Sequence, residues 1–446
     1  MRKLIIALLL AITIPAHATS GKIAEYSLPN GLKLFVKEDH RAPIVVAQIW
    51  YKIGSSYEPT GLTGISHALE HMMFRGTAKY GPGVLNKIIV DNGGVHNAGT
   101  DYDATVYYET LPSDKLAIAF DLEANRMQGL LISKESFAKE IQAVIEERKM
   151  RTEDNPDDLT FERFSAAAYA SNPYHNPVIG WMHDIKNLTN RDLRAWYRQW
   201  YAPNNAFIVV VGDVQPEAVF KLAQEYFGPI PSAKKPVLKP QQEIPSLGER
   251  NVIVKAPAKN PLLIMGYNAP TLKTADQKWK AYALEVASNI LSGGWGARLS
   301  KDLVRKQQVA VNASASYNLY SRLDNLFILS GTPAPKHTVE ELKTAFLQQI
   351  ERLQTTLVTQ EELDRVKAQA ISNKVYAKDV RTFQAFEIGG LEAVGLSWKE
   401  ADQYVPNIKA VTPEQIQEVA KEYLIPDRLT VAELQPISTT SSTGVK

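Results

Sequence analysis

The sequence predicts an α+β fold of two homologous domains, each a mostly antiparallel sheet packed with helices. Segments with strand-like alternation are interleaved with segments of helical period in both halves of the chain. One helix–turn–strand unit also occurs twice, at residues 189–211 and 412–434. Both copies run from a capped helix through a proline turn into a strand, and Pro203 and Pro426 align without a gap. Chance similarity is the alternative, but the aligned prolines favour duplication.

A proline-rich segment divides the chain. With 446 residues, the chain is long enough for two or three domains with complete cores. Residues 228–248 include five prolines and three lysines, which predicts an exposed, semi-stiff linker. We therefore expect a first domain at 19–228, a linker at 229–250 and a second domain at 251–446.

Composition excludes several classes of function. The formal net charge is +2, and no basic stripe with interleaved aromatic residues occurs, so nucleic acid is not an expected partner. The chain contains no cysteine, which excludes disulfides, thiolate zinc sites and cysteine catalysis.

Residues 1–18 have the pattern of a secretory signal peptide. Arg2 and Lys3 give a basic start, a mostly apolar run covers 4–14, and Ala16-His17-Ala18 forms a small-residue cleavage pattern. We expect cleavage near Ala18 and Thr19 and a mature protein in the periplasm or outside the cell. A retained anchor is the alternative, but the run is too short to span a bilayer. No later stretch is expected to span one.

The order of the elements follows from hydrophobic period and turn signals. Strands are expected at 23–28, 32–38 and 44–51, with the Asn30-Gly31 turn between the first two. Residues 101–109 alternate and predict another strand, and 207–211 and 429–434 predict the closing strands of the two halves. Helices are expected at 84–91, 114–131 and 281–291.

A short helix at 63–76 carries the most informative residues of the chain. Thr63 is the expected N-cap and Gly76 the expected stop. At about 100° per residue, one side of this helix is apolar and can pack into a core. That side comprises Ile65, Leu69, Met72 and Met73. The opposite side presents His67, Glu70, His71 and Phe74.

The opposite side of this helix has the geometry of a metal site. The Cβ atoms of residues four apart lie about 5–6 Å from each other, so His67 and His71 can bind one ion. Zinc accepts histidine nitrogens and carboxylate oxygens, and a catalytic zinc retains a water. Glu70 would be the general base on that water, in the inverted order H-x-x-E-H. The alternative is a solvated face with two incidental histidines.

A later helix, capped by Ser133, offers a third ligand. Glu140 and Glu147 share one face of this helix, whereas Glu146 falls on another. If the two helices pack together, Glu147 is better placed than Glu146 to reach the metal. The alternative is that all three carboxylates are solvated. The helix expected at 281–291 contains no histidine, so we expect metal in the first domain only.

These residues resemble the pitrilysin/insulinase family of zinc peptidases, the inverzincins. In that family a glutamate ligand follows H-x-x-E-H on a later helix, and a second glutamate precedes it by seven residues. Here Glu147 follows Glu70 by 77 residues, and Glu140 precedes Glu147 by seven. The resemblance covers nearly the whole mature chain. It implies one Zn²⁺ per chain, held by His67, His71 and Glu147, with Glu70 as the base and Glu140 orienting a ligand.

The resemblance also implies a substrate-binding strand. Residues 93–100 resemble the family's edge strand, to which an extended peptide adds as one more strand through backbone hydrogen bonds. Asn97 and Ala98 are the matching positions. His96 is more simply explained as an ordinary loop histidine than as a metal ligand.

The resemblance further implies a partner subunit. Family members close four homologous domains, two per half, around a clam-shaped chamber, and this chain would supply one half. Where the second domain binds substrate, it does so through an Arg and a Tyr seven residues apart. Val304 and Val311 occupy those positions here. We therefore expect a heterodimer with a homologue that supplies the Arg/Tyr pair. The alternative is a homodimer that uses other groups, such as Tyr317 or Tyr320.

The function implied is a secreted or periplasmic zinc metalloendopeptidase subunit that hydrolyses short or unfolded peptides. Two other functions stay open at this point. One is a non-catalytic scaffold subunit of a larger complex, and the other is a metal-dependent hydrolase of a non-peptide substrate.

Overall fold

A computed structural model describes residues 22–236, 239 and 241–437. The predicted signal peptide, residues 1–18, lies outside the described residues, so its cleavage stays a prediction. Among the helices that the structure describes, none is both long and apolar enough to cross a membrane.

Two sheets organise the two halves of the chain. The strands of the first half are β1 (Ile23–Ser27), β2 (Lys33–Glu38), β3 (Ile44–Tyr51), β4 (Val95–Thr100), β5 (Thr105–Pro112) and β6 (Ala206–Gly212). Those of the second half are β7 (Arg250–Pro257), β8 (Leu262–Ala269), β9 (Ala310–Tyr317), β10 (Asn325–Pro333) and β11 (Leu429–Ile437). The sheet orders are β1-β2-β6-β3-β5-β4 and β7-β11-β8-β10-β9.

The second sheet repeats the first without its outermost strand β1. In each sheet one pair is parallel, β2 with β6 and β7 with β11, and the other pairs are antiparallel. The predicted fold class, two homologous domains of mostly antiparallel sheet and helix, is therefore confirmed.

Most of the helices repeat in the same order. The first half contains α1 (Ile65–Met72), α2 (Val84–Asp91), α3 (Leu116–Gly129), α4 (Lys134–Arg148), α5 (Pro156–Ala168), α6 (Met182–Asn187), α7 (Asn190–Trp200) and α8 (Pro216–Phe227). The second half contains α9 (Lys278–Ser292), α10 (Val339–Thr355), α11 (Gln360–Ala377), α12 (Arg381–Ala393), α13 (Glu400–Ala410) and α14 (Pro413–Tyr423). The π-helical turns Lys149–Glu153 and Leu299–Lys306 follow α4 and α9. The run from α3 to α7 thus corresponds to the run from α10 to α14.

The repeated unit predicted from the sequence is present in both halves. Thr189 and Thr412 cap α7 and α14, each in a capping box with the residue three positions on. Each helix leads through a 3₁₀ turn that begins at Pro203 or Pro426 into the closing strand β6 or β11.

Each half contributes one helix that packs on the sheet of the other half. One face of the first sheet packs on its own helices, including α1, but the other face is covered by α12 of the second half. In return, α5 of the first half packs on the second sheet. Glycines permit both close approaches: a Cβ on Gly389 of α12 would lie 2.2 Å from the Trp50 ring, and one on Gly266 of β8 would lie 2.4 Å from the Phe164 ring.

Polar contacts also join the halves. The Asp39 carboxylate, after β2, accepts hydrogen bonds from Arg41 at 2.8 Å and from Arg381 of α12 at 3.0 Å. Arg322, between β9 and β10, donates to Asp103 and to Ser56, each at 2.8 Å. The second half is therefore bound to the first by partly buried ion pairs as well as by apolar packing.

Three predictions about the bounds of α1 and β5 are wrong. Gly64, not Thr63, is the N-cap of α1, because the Thr63 hydroxyl instead donates to Asp184 at 2.6 Å. The helix ends at Met72, before Gly76. The strand expected at 101–109 is Thr105–Pro112, since the Asp101 N–H donates to the Ala104 carbonyl and closes the turn from β4.

The predicted linker has no helix or strand between α8 and β7 in its described residues, 229–236, 239 and 241–249. It is nevertheless attached to the first half, since Glu243 accepts hydrogen bonds from the N–H groups of Ala170 and Asn172 at 2.8 and 2.7 Å. The domain boundaries stay predictions.

Candidate metal centre

The helix α1 is held by a carboxylate that precedes it in the chain. Its N-cap, Gly64, has φ +84°, and a glycine offers no side chain to bond the first N–H groups. Glu58 does so instead, because its two oxygens accept from the N–H groups of Gly64 at 2.6 Å and Ser66 at 2.8 Å. Burial raises the pKa of Glu58 to about 8, although the hydrogen bonds from these two N–H groups lower it. The apolar side of α1 is buried as predicted.

Two helices bring three metal-ligating side chains together. α1 packs against α4, so that one oxygen of Glu147 lies 3.1 Å from His71 Nε2 and 3.7 Å from His67 Nε2. One ligand atom from each residue lies within 4.8 Å of the others. Bonds of about 2.0–2.2 Å at a tetrahedral zinc place neighbouring ligand atoms about 3.4 Å apart. The three side chains therefore fit a zinc ion between them.

The protonation of the two histidines differs. Burial, with help from the charge of His71, lowers the pKa of His67 to about 4, so its imidazole is neutral and can act as a ligand at pH 7. Burial also lowers the pKa of His71, but hydrogen bonding to Glu147 and the surrounding carboxylates outweigh it and raise that pKa overall. The same hydrogen bond lowers the pKa of Glu147. A metal would replace the proton that His71 and Glu147 share.

Glu70 lies beside this group on α1. The hydroxyl of Thr100, the last residue of β4, donates to Glu70 Oε2 at 2.6 Å. Burial raises the pKa of Glu70 even though this hydrogen bond lowers it. A carboxylate with a raised pKa is a better proton acceptor, as general-base catalysis requires.

Glu140 and Arg75 lie on the side of the His71 ring that faces away from Glu147. Glu140 Oε2 lies 3.7 Å from His71 Nδ1, and its other oxygen accepts from Arg75 Nε at 2.7 Å. Glu140 is buried, so Arg75 compensates its charge and fixes its orientation. The orienting role of Glu140 stays a prediction, and Arg75 was not predicted from the sequence.

Glu146 does not belong to the group. Its side chain is 68% exposed and binds Lys149 at 2.7 Å, whereas that of Glu147 is 15% exposed. The structure thus places Glu147 at the histidines and Glu146 at the surface, on the separate faces that the helical period predicts.

A cavity of about 860 Å³ opens over the group. The edge strand β4 forms one wall, including the predicted substrate-binding residues Asn97 and Ala98. The Ala98 N–H bonds its neighbour's side chain, Asn97 Oδ1, at 2.9 Å, so an arriving strand would have to displace that side chain. His96 also lies in β4, not in a loop, and its Nε2 is 3.0 Å from Asn86 Oδ1.

The lining residues of this cavity that the structure describes all belong to the first half. They are His67, Glu70, His71, Asn97–Thr100, Ala143, Glu146, Glu147, Met150–Thr152, Val178 and Ile179. In the second half, Val304 packs into the core and Val311 is exposed on β9. The Tyr317 hydroxyl donates to the Pro270 carbonyl, and Tyr320 lines another cavity between the halves. Within one chain, neither tyrosine reaches the metal group.

In the described residues of the second half, no equivalent of the ligand set is present. α11 corresponds to α4, and counting from their N-caps, Thr359 and Ser133, places Val366 and Asn373 where α4 has Glu140 and Glu147. α9 contains no histidine. The expectation that only the first domain carries metal stays a prediction.

Comparisons with known proteins agree with this geometry. The family model described as Insulinase (Peptidase family M16) matches residues 33–181, and that described as Peptidase M16 inactive domain matches residues 187–370. The zinc protease PqqE of Helicobacter pylori is 31% identical over 96% of this chain and 97% of that protein.

The chain belongs to the M16 peptidase family.

Solved structures of M16-like peptidases share its fold. A protease from Helicobacter pylori matches with a TM-score of 0.87 and 27% identity, over 93% of this chain and all of that one. The periplasmic protease PqqL from Escherichia coli matches with a TM-score of 0.77 and 18% identity, over 95% of this chain but 49% of that one. This M16 chain thus has the size of half of PqqL.

Proposed function

We propose that the chain is a zinc metalloendopeptidase subunit that hydrolyses peptides. The observation that carries this proposal is the convergence of His67, His71 and Glu147 on one point, with Glu70 beside them. A scaffold subunit would not need this set. The names of the relatives and the edge strand β4 favour a peptide over a non-peptide substrate.

Each residue of the group has a distinct part in the proposed reaction. His67, His71 and Glu147 would hold the zinc, which when bound supplies a Lewis acid that polarises the scissile carbonyl and acidifies water. Glu70 would accept the proton of the attacking water and donate it to the leaving amine. Thr100 holds one oxygen of Glu70 by a hydrogen bond. Glu140 would keep the imidazole of His71 in its orientation.

The substrate would bind as an extended strand. β4 is the outermost strand of its sheet, and its residues Asn97 to Thr100 line the cavity over the metal group. A peptide that pairs with this edge would bring its backbone, rather than one particular side chain, to the metal. Short or unfolded peptides can adopt this conformation, whereas folded proteins cannot.

We further propose that the mature protein acts in the periplasm, or outside the cell, with a homologous partner. The basis for the location is the predicted signal peptide. The basis for the partner is that Val304 and Val311 offer no hydrogen-bond donor and that PqqL contains twice the length of this chain. A partner with an Arg/Tyr pair would face the cavity of this chain in a heterodimer.

The decisive variant is Glu70→Gln, which keeps the shape of the side chain but removes its basicity. We expect it to retain one zinc per chain and to lose at least about 10²-fold in kcat, the usual contribution of a general base. Glu146→Gln is the matched control, since it removes a carboxylate from the same cavity without touching the ligand group. Peptide cleavage by Glu70→Gln at the rate of the control would refute the proposed mechanism.

A further inference from the structure

Arg151 occupies a special place beside the metal group. It lies in the π-helical turn Lys149–Glu153, one turn after Glu147. π-helical turns are rare in proteins, and those that occur are often found at functional sites. Arg151 and Thr152 line the metal cavity and also a second cavity of about 340 Å³, to which Tyr102 and Tyr174 contribute. Arg151 therefore stands where the two cavities adjoin.

The guanidinium of Arg151 has N–H donors that Glu147 does not use. Its Nη1 lies 3.0 Å from Glu147 Oε1, the oxygen that does not face the histidines. A guanidinium carries five N–H donors in a planar fork that matches a carboxylate. The side chain is 69% exposed, and Glu147 is the one acid within 4.0 Å of it among the described residues. Its remaining donors are thus available to a ligand.

Arg151 is the one lysine or arginine among the described residues that line the metal cavity. Besides the two histidines, the charged residues of the metal cavity are Glu70, Glu146, Glu147 and Arg151. Glu146 is bound to Lys149. A zinc held by Glu147 would draw on that carboxylate and weaken its hold on Arg151. The guanidinium would then offer its positive charge to an anionic ligand, in a cavity whose other charged side chains, apart from the histidines, are carboxylates.

Arg151 lines the same cavity as the end of β4, the predicted substrate-binding strand. β4 ends at Thr100, and Tyr102, two residues further on, lines the second cavity together with Arg151. A peptide paired with β4 would therefore pass Arg151 near the Thr100 end of the strand. A side chain or a chain end at that point would meet the guanidinium.

We propose that Arg151 is a specificity-determining residue that binds a carboxylate of the peptide substrate. The inference rests on the proposed peptidase function. The carboxylate is either an Asp or Glu side chain near the scissile bond or the C-terminal carboxylate of the peptide. Both sources present the same planar acceptor to the same donors.

The experiment scans a reporter peptide with Glu or Gln at each of the three positions on either side of the scissile bond. Each peptide is made with a free and with an amidated C-terminus. With the wild-type protein we expect one position, on one side of the bond, where Glu is preferred over Gln about 10-fold or more in kcat/KM, mainly through KM. If the terminal carboxylate is the ligand, the free acid shows this preference over the amide instead.

The variants separate binding from structural support of Glu147. Arg151→Met should reduce the Glu/Gln or acid/amide ratio to about one, and Arg151→Lys should keep part of it. Lys149→Met, which removes a neighbouring cation outside the cavity, is the matched control and should keep the wild-type ratio. Zinc content is measured for each variant. A ratio that stays unchanged in Arg151→Met, whatever its total activity, overturns the inference.

A binding assay distinguishes failure of this inference from failure of the proposed function. The same peptides are titrated into the Glu70→Gln protein with and without Arg151→Met. Tighter binding of the acidic peptide that depends on Arg151 supports the subsite even if the wild-type protein cleaves nothing. Cleavage without any dependence of selectivity or binding on Arg151 leaves the peptidase function intact and refutes the subsite.

Discussion

Replacing Glu147 by Gln should weaken zinc binding, whereas the same change at Glu146 should not. Glu147 points an oxygen at both imidazoles, but Glu146 is exposed and paired with Lys149. Zinc held by four ligands gives an apparent binding free energy of about 10–16 kcal/mol. One ligand's share is thus about 3 kcal/mol, or roughly a 10²-fold change in Kd, and an amide oxygen recovers only part of it.

The assay is competition for zinc against a chromogenic chelator at a fixed pH, with thermal unfolding as a check that each variant is folded. The two substitutions are chemically identical and adjacent in sequence, so general effects of removing a carboxylate cancel in the comparison. Equal zinc affinities, or a greater loss in Glu146→Gln, would show that the ligand assignment from α4 is wrong.

Three further predictions concern the joints between the halves and the partner. Hydrogen bonding from Arg41 lowers the pKa of Asp39, so its stabilising effect is complete above the unfolded pKa of about 4 and is lost as the pH falls below it. The difference in denaturant stability between wild type and Asp39→Asn should accordingly be constant near pH 7 and shrink at pH 3. Arg322→Ala leaves buried Asp103 without its cation and should cost about 3 kcal/mol in the same assay; a loss under 1 kcal/mol would contradict the role of this pair. The isolated mature chain should cleave peptides slowly and gain activity from a homologue with an Arg/Tyr pair, whereas full activity alone would rule out the heterodimer.

Local rules explain what could be predicted from the sequence. The helical period separates the two faces of α1 and places Glu147, rather than Glu146, towards the metal group, because side chains on one helix have a fixed angular relation. Capping boxes at Thr189 and Thr412 involve neighbours three residues apart, so they are visible in a short window. The duplication was visible because both copies retain these same local signals.

Contacts between distant segments account for what was missed. Thr100 meets Glu70, and Arg322 meets Asp103, only because the sheets and loops bring them together. The cap of α1 was misassigned to Thr63 because nothing in the local pattern shows that Glu58 bonds the first N–H groups and leaves a glycine at the cap. Sequence spacing gives no access to such pairs, since each depends on the completed fold.

The exchange of α5 and α12 links the second half to the half that carries the metal group. α12 covers the face of the first sheet opposite to α1, and Gly389 of α12 lies against the ring of Trp50. Arg322 binds Ser56, which lies two residues before the carboxylate that caps α1. The helix that presents both histidines is thus anchored through a segment that the second half holds in place. The second half therefore contributes contacts that support the geometry of the metal group in the first half.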